Sequence, residues 1–163
     1  MQVSLKAMSE GSFTEYLSSA ISDYALANIK SGRWSESEAM EKSKEAHSLL
    51  LPDGLETENH HLFDIFENEN GECVGHLWIE LKGENHSKSA FVYSIGINER
   101  FRRKGYAKSA LYCLEETALE LGAKCVDLHV FGFNSAAQAL YEHAGYHVVS
   151  QNMRKTIGIQ HEQ

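Results

Sequence analysis

The chain has 163 residues, a formal net charge of −8 at neutral pH, 42% apolar residues and one proline, Pro52. This length suits one domain with a real core and is short for two, so residues 1–163 are expected to form a single domain. The composition is that of a folded chain, and the charge repels nucleic acid and anionic membrane while favouring cationic partners.

The N-terminal stretch MQVSLKAMSEGSFTEY lacks the charged start and apolar run of a signal peptide, and no apolar stretch is long enough to span a bilayer, so the expected compartment is the cytoplasm. Cys73, Cys113 and Cys125 are odd in number and widely spaced. That pattern argues against a disulfide framework, a zinc site or a redox motif, and buried reduced thiols are expected.

Residues 2–7 read as a short strand. Phe13, Tyr16, Leu17, Ala20, Ile21 and Tyr24 then recur near helical spacing and predict an amphipathic helix. A second helix is expected from Ser35 to Leu50, with Ser35 and Glu38 in a capping-box arrangement and Pro52 ending it. Its acidic run from Glu36 through Glu45 reads first as a solvated face and second as a lure for a cationic acceptor.

The aromatic, β-branched segments HLFDIFEN, CVGHLWIELKG and SAFVYSIGIN predict an antiparallel meander with turns at Glu69-Asn70-Gly71 and from Gly83 to Lys88. A helix follows from about Gly105 to Leu121, capped by Gly122, then a strand CVDLHVFGF. Asn134 can cap a last helix, SAAQALYEHA, which Gly145 ends before a closing strand, YHVVSQNMRK. The expected class is α/β in the α+β sense: a mixed, mainly antiparallel sheet flanked by helices, in the order β-αα-βββ-α-β-α-β.

Arg100, Arg102, Arg103, Lys104 and Lys108 place five of the fifteen Lys and Arg residues within nine positions, between a predicted strand and a predicted helix. The first-turn amides and dipole of a helix favour an anion, and Gly105 and Ala107 leave the backbone bare enough for a phosphate to approach. Neither a P-loop string nor a G-x-G-x-x-G fingerprint occurs. A solvated turn is the competing explanation of the cluster.

Arg102-Arg103-Lys104-Gly105-Tyr106-Ala107 resembles the [QR]-x-x-G-x-[GA] pyrophosphate loop of the GNAT acyltransferases, preceded by the matching strand end Ile95-Gly96-Ile97. Asn134 through Tyr146 resembles the family's N-x-x-A-x-x-L-Y-x-x-x-G-[FY] block. The resemblance covers about residues 60 to 155. It departs from the family at Glu99, where proline is frequent, and at Ala107, where glycine is.

The resemblance implies acetyl-coenzyme A as co-substrate and an amine-bearing acceptor, small molecule or protein. It implies that Ile95 and Ile97 pair by backbone with the pantetheine arm, that Gly96 permits close approach, and that Arg102, Arg103, Lys104, Gly105, Tyr106, Ala107 and Lys108 surround the pyrophosphate. Asn134 would reach the pantetheine or cap its helix, and Tyr141 would protonate the departing thiolate or serve as an interior aromatic.

A protonated amine cannot attack, so a base is required, and His129 and Glu80 are the two candidates, each with a solvent-facing strand position as its alternative. No metal is expected: His60 and His61 are adjacent in a strand and point apart, and His76, His86, His143 and His147 lack ligand spacing. A homodimer is compatible with the chain. The competing functions are a non-catalytic acyl-coenzyme A binding module and, against the net charge, a nucleic-acid binder.

Overall fold

In the computed structural model, which describes residues 2–158, the elements follow as β1 (Val3–Ala7), α1 (Glu10–Lys30), α2 (Glu36–Leu50), β2 (His60–Glu67), β3 (Cys73–Lys82), β4 (Ser89–Ile97), α3 (Tyr106–Glu120), β5 (Cys125–Leu128) and α4 (Ser135–His143). The sheet order is β1-β2-β3-β4-β5, antiparallel from β1 to β4, with β5 parallel to β4. A parallel neighbour requires a crossover, and α3 supplies it.

Alternation along β3 divides the apolar side chains between the two faces of the sheet. Leu77 and Ile79 join Ile65, Val92 and the α3 residues Leu111 and Leu114, with Leu140 and Tyr141 of α4 packed beside them. Trp78 points the other way, into a cluster with Met8, Phe13, Leu51 and Leu62, flanked by Tyr16, Leu17 and Tyr93. The sheet therefore lies between α1 and α2 on one side and α3 and α4 on the other.

Local chemistry sets the helix ends. Ser9 Oγ accepts the Ser12 N–H at 3.2 Å, and Glu38 accepts the Ser35 N–H at 3.1 Å, completing the expected capping box. Gly122, at φ +89°, takes the left-handed turn after α3.

Two irregularities shape β4. Trp78 faces Ser94 while Ile79 faces Val92, so Tyr93 is the extra residue of a bulge. Pairing with β5 ends at Val92↔Leu128, whereas pairing with β3 continues to Ile97↔Gly75. From Tyr93 to Ile97, β4 has no paired strand on its β5 side among the described residues.

The sequence reading differs from the structure in three places. The expected closing strand, residues 146–155, is not a strand: Val148, Val149 and Met153 are exposed, and Arg154 Nη1 donates to the Gly32 carbonyl at 3.2 Å, holding the segment at the α1–α2 turn. The strand expected through Phe133 stops at Leu128, because Gln138 Nε2 reaches back to the Phe131 and Gly132 carbonyls, both at 3.1 Å, and folds those residues into a loop. Of the three thiols only Cys113 is buried; Cys73 and Cys125 are exposed, each at the first position of its strand.

Candidate active site

β4 leads into Asn98, a single 3₁₀ turn at Glu99–Phe101, and the basic loop. Arg102 Nε donates to the Ile97 carbonyl at 3.0 Å, tying the loop to the strand end. Arg103 and Gly105 both have positive φ, +63° and +83°, and Gly105 is the N-cap of α3. The N–H groups of Tyr106, Ala107 and Lys108, in the first turn, have no intrahelical acceptor, and no side chain among the described residues caps them.

Arg102, Arg103, Lys104 and Lys108 are exposed around that end. Arg100 is drawn aside by Glu72 at 3.1 Å. The remaining four cations and the open helix terminus suit a polyanion.

A cleft of about 760 Å³ lies between the helix pair and the sheet, and it reaches this loop. Tyr16 and Asp23 of α1, His47 of α2, His76 and Trp78 of β3, and the unpaired stretch Tyr93–Ile97 form its walls, with Arg102 at one end. Glu15, Asp23, Asp64 and Glu99 set four carboxylates against the single permanent cation Arg102, so the cleft favours positive charge. The acidic run of α2 plays no part in it: Lys42 pairs with Glu38 at 3.2 Å and Lys44 with Glu41 at 3.5 Å on the solvated face.

His76 Nε2 and Ser94 Oγ are hydrogen-bonded at 2.8 Å across β3 and β4. A Cβ at Gly96 would lie 2.6 Å from His76 Cε1, so glycine is what seats the ring there. Burial pushes His76 down to about 4 from 6.5. Because the folded value lies below the unfolded one, the stabilisation is complete above pH 6.5 and is lost as the pH falls toward about 4.

That shift corresponds to roughly 3 kcal/mol. Urea unfolding midpoints measured across this window are expected to fall with decreasing pH, and His76→Gln is expected to flatten that slope. His60 and His61, both lowered by burial, act with the same sign. An equal slope in the variant would contradict the assignment.

Glu80 accepts the Tyr93 hydroxyl at 2.7 Å, with Lys82 Nζ at 4.0 Å and His60 Nε2 at 3.6 Å. His60 is itself fixed by the Trp78 indole N–H, 2.9 Å from its Nδ1. Tyr93 lines the cleft and Glu80 does not, so the carboxylate stands behind a residue of the cleft wall. Burial and Glu80 together raise the Tyr93 phenol.

His129 is exposed beyond the end of β5, edge-on to Phe131 at 4.9 Å. Asn134 Oδ1 accepts the Ala137 N–H at 3.1 Å, which caps α4, and its amide NH₂ has no side-chain or backbone acceptor among the described residues. Tyr141 is partly buried against the core, 5.7 Å from Tyr146, and burial raises its phenol.

Sequence reasoning missed His47, Tyr16 and Ser94. His47 stands four residues after Ser43 and eight after Ala39 on the buried face of α2. That helical spacing was the available signal. Burial pushes the Tyr16 phenol up to about 12, and its hydroxyl, near Ser94, makes no hydrogen bond of standard geometry among the described residues.

A strand whose edge opens beyond a bulge therefore runs into a helix terminus ringed by cations. Residues 24–146 match the Acetyltransferase (GNAT) family, and the chain belongs to that family.

The uncharacterized N-acetyltransferase YdgE of Bacillus subtilis (strain 168) is 40% identical over 157 residues, covering 96% of this chain and 99% of its own. The uncharacterized N-acetyltransferase YycN of the same organism is 38% identical over 157 residues, covering 96% and 100%. The crystal structure of YycN superposes with a TM-score of 0.91, covering 95% of this chain and 98% of that one.

Proposed function

We propose that the chain transfers an acetyl group from acetyl-coenzyme A directly to a primary amine, acting as a single domain in the cytoplasm. The observation that carries this reading is the continuity of three features: the open edge of β4, the cationic loop at its end, and the acidic cleft alongside. Free thiols at Cys73 and Cys125 suit a reducing compartment. Relatives named N-acetyltransferases weigh against a non-catalytic binding module.

In this reading the backbone of Ile95, Gly96 and Ile97 holds the pantetheine arm as an added strand would. Arg102, Arg103, Lys104 and Lys108, with the amides of Gly105, Tyr106 and Ala107, hold the pyrophosphate. The free NH₂ of Asn134 adds a bond to the arm, and Tyr141 protonates the thiolate. The acceptor enters between α1, α2 and the sheet, where the carboxylates draw its charge.

Calorimetric titration with acetyl-coenzyme A tests the carrier half. Arg103→Ala/Lys104→Ala is expected to weaken binding by about tenfold or more, which is about 1.4 kcal/mol, and to reduce its salt dependence. A folded double variant with unchanged affinity and salt dependence would remove the loop from the carrier site.

A further inference from the structure

His47 is 7% exposed, yet it forms part of the cleft wall. Its Nδ1 lies 2.8 Å from the Ser43 carbonyl. A carbonyl only accepts, so Nδ1 carries the proton and Nε2 carries the lone pair. No donor is bonded to Nε2 among the described residues, and this nitrogen is not among the fully enclosed polar atoms that lack a partner.

Tyr24 packs edge-on at 5.7 Å and Trp78 lies tilted at 5.9 Å, so two aromatic rings hold the imidazole in place. The titratable groups lining the same cleft are Glu15, Tyr16, Asp23 and Tyr24 from α1, Asp64 from β2, Cys73 and His76 from β3, Tyr93 from β4, and Glu99 and Arg102 beyond its end. A tautomer locked by a helix carbonyl, with its basic nitrogen in the wall of a cleft of negative potential, is built to take a proton from an amine nitrogen as it reacts there.

We propose that His47 Nε2 is the catalytic base of the acetyl transfer, a role that rests on the acyl-transfer reading of the cleft. The amine nitrogen attacks the thioester carbonyl carbon, the C–N bond forms, and the π pair moves to oxygen. His47 Nε2 takes the N–H proton. Collapse of the intermediate breaks the C–S bond, and the thiolate leaves with a proton from Tyr141 or water.

The test uses His47→Asn, whose side-chain amide can still donate to the Ser43 carbonyl but offers no nitrogen in place of Nε2. With an amine that the wild type accepts, kcat/KM is expected to fall by about 10²–10⁴-fold with acetyl-coenzyme A affinity unchanged. Glu80→Gln and His129→Gln are expected to cost far less.

The pH profile separates base from substrate. In the wild type the rate falls with decreasing pH through two groups. One moves when an amine of different pKa is used, and the other, assigned to His47, does not. His47→Asn is expected to keep only the first, and free imidazole to restore rate to His47→Ala.

A folded His47→Asn with wild-type kcat/KM and both groups in its profile would overturn the proposal. Should the variant not fold, ¹⁵N-histidine spectra of the wild type decide: His47 is expected as the Nδ1–H tautomer, with its Nε2 signal moving as the amine is added in the presence of coenzyme A. The opposite tautomer or an unmoved signal would overturn the role. A wild type that acetylates no amine would instead bring down the acyl-transfer reading itself.

Discussion

Tyr141→Phe is expected to lower the single-turnover rate of acetyl transfer by as much as about 10²–10⁴-fold while leaving acetyl-coenzyme A affinity largely unchanged. The ring of Tyr141 is partly buried on α4 against Leu140, Ala144 and Tyr146, and phenylalanine keeps that packing. Burial raises the phenol, so at neutral pH it holds its proton and can only donate. The loss is smaller where water substitutes, because a coenzyme A thiolate, with a pKa near the ~8.5 of a free thiol, is already a fair leaving group. Single-turnover measurements keep slow product release from hiding the effect. Wild-type single-turnover rates with several amines would make Tyr141 a packing residue.

Gly75→Ala is expected to destabilise the fold by about 1–3 kcal/mol or more, the largest effect of any single methyl group added to the sheet. A Cβ at Gly75 would overlap the Gly96 carbonyl oxygen and stand 3.1 Å from Ile97 Cα. Both obstacles are backbone, which no rotamer change can clear, so β4 must shift from β3 along the stretch proposed to hold the carrier. In Gly96→Ala the nearest obstacle is the His76 ring, a side chain that can swing aside at the loss of its bond to Ser94, so its cost is expected to be smaller. Urea unfolding of both variants measures the two costs. A Gly75→Ala protein as stable as the wild type would show that the two strands approach less closely than described.

Much of this was legible in the residues. The meander from His60 to Ile97 followed from alternating aromatic and β-branched runs, and the α2 capping box followed from Ser35 and Glu38. The basic loop was found because Gly105 and its cations stand between a strand and a helix, where the first-turn amides of the helix are open. Local pattern could not show which strand formers find a partner: Val148 and Val149 read as a strand, yet a strand needs a neighbouring ladder, and Arg154 ties their segment to the α1–α2 turn.

Tertiary approach was equally hidden. Gly75 and Gly96 are close only because β3 and β4 pair, and Tyr93 becomes a bulge only in that register. His47 was not singled out in the sequence; its significance depends on the Ser43 carbonyl fixing its tautomer and on a cleft wall built from α1 and β3. Cys73 and Cys125 were read as interior from the habits of cysteine, whereas each stands exposed at the first position of its strand.

The most direct measurement of the central claim incubates the full chain with acetyl-coenzyme A and a panel of primary amines: diamines and polyamines, amino sugars, lysine and peptides with free N-termini. Released thiol and the mass of the acceptor are followed together. The account predicts acetyl-coenzyme A-dependent thiol release matched by addition of one acetyl group to a cationic amine, with the rate rising as the pH is raised from the acid side. Tight acetyl-coenzyme A binding without transfer to any amine, or no binding at all, would contradict it.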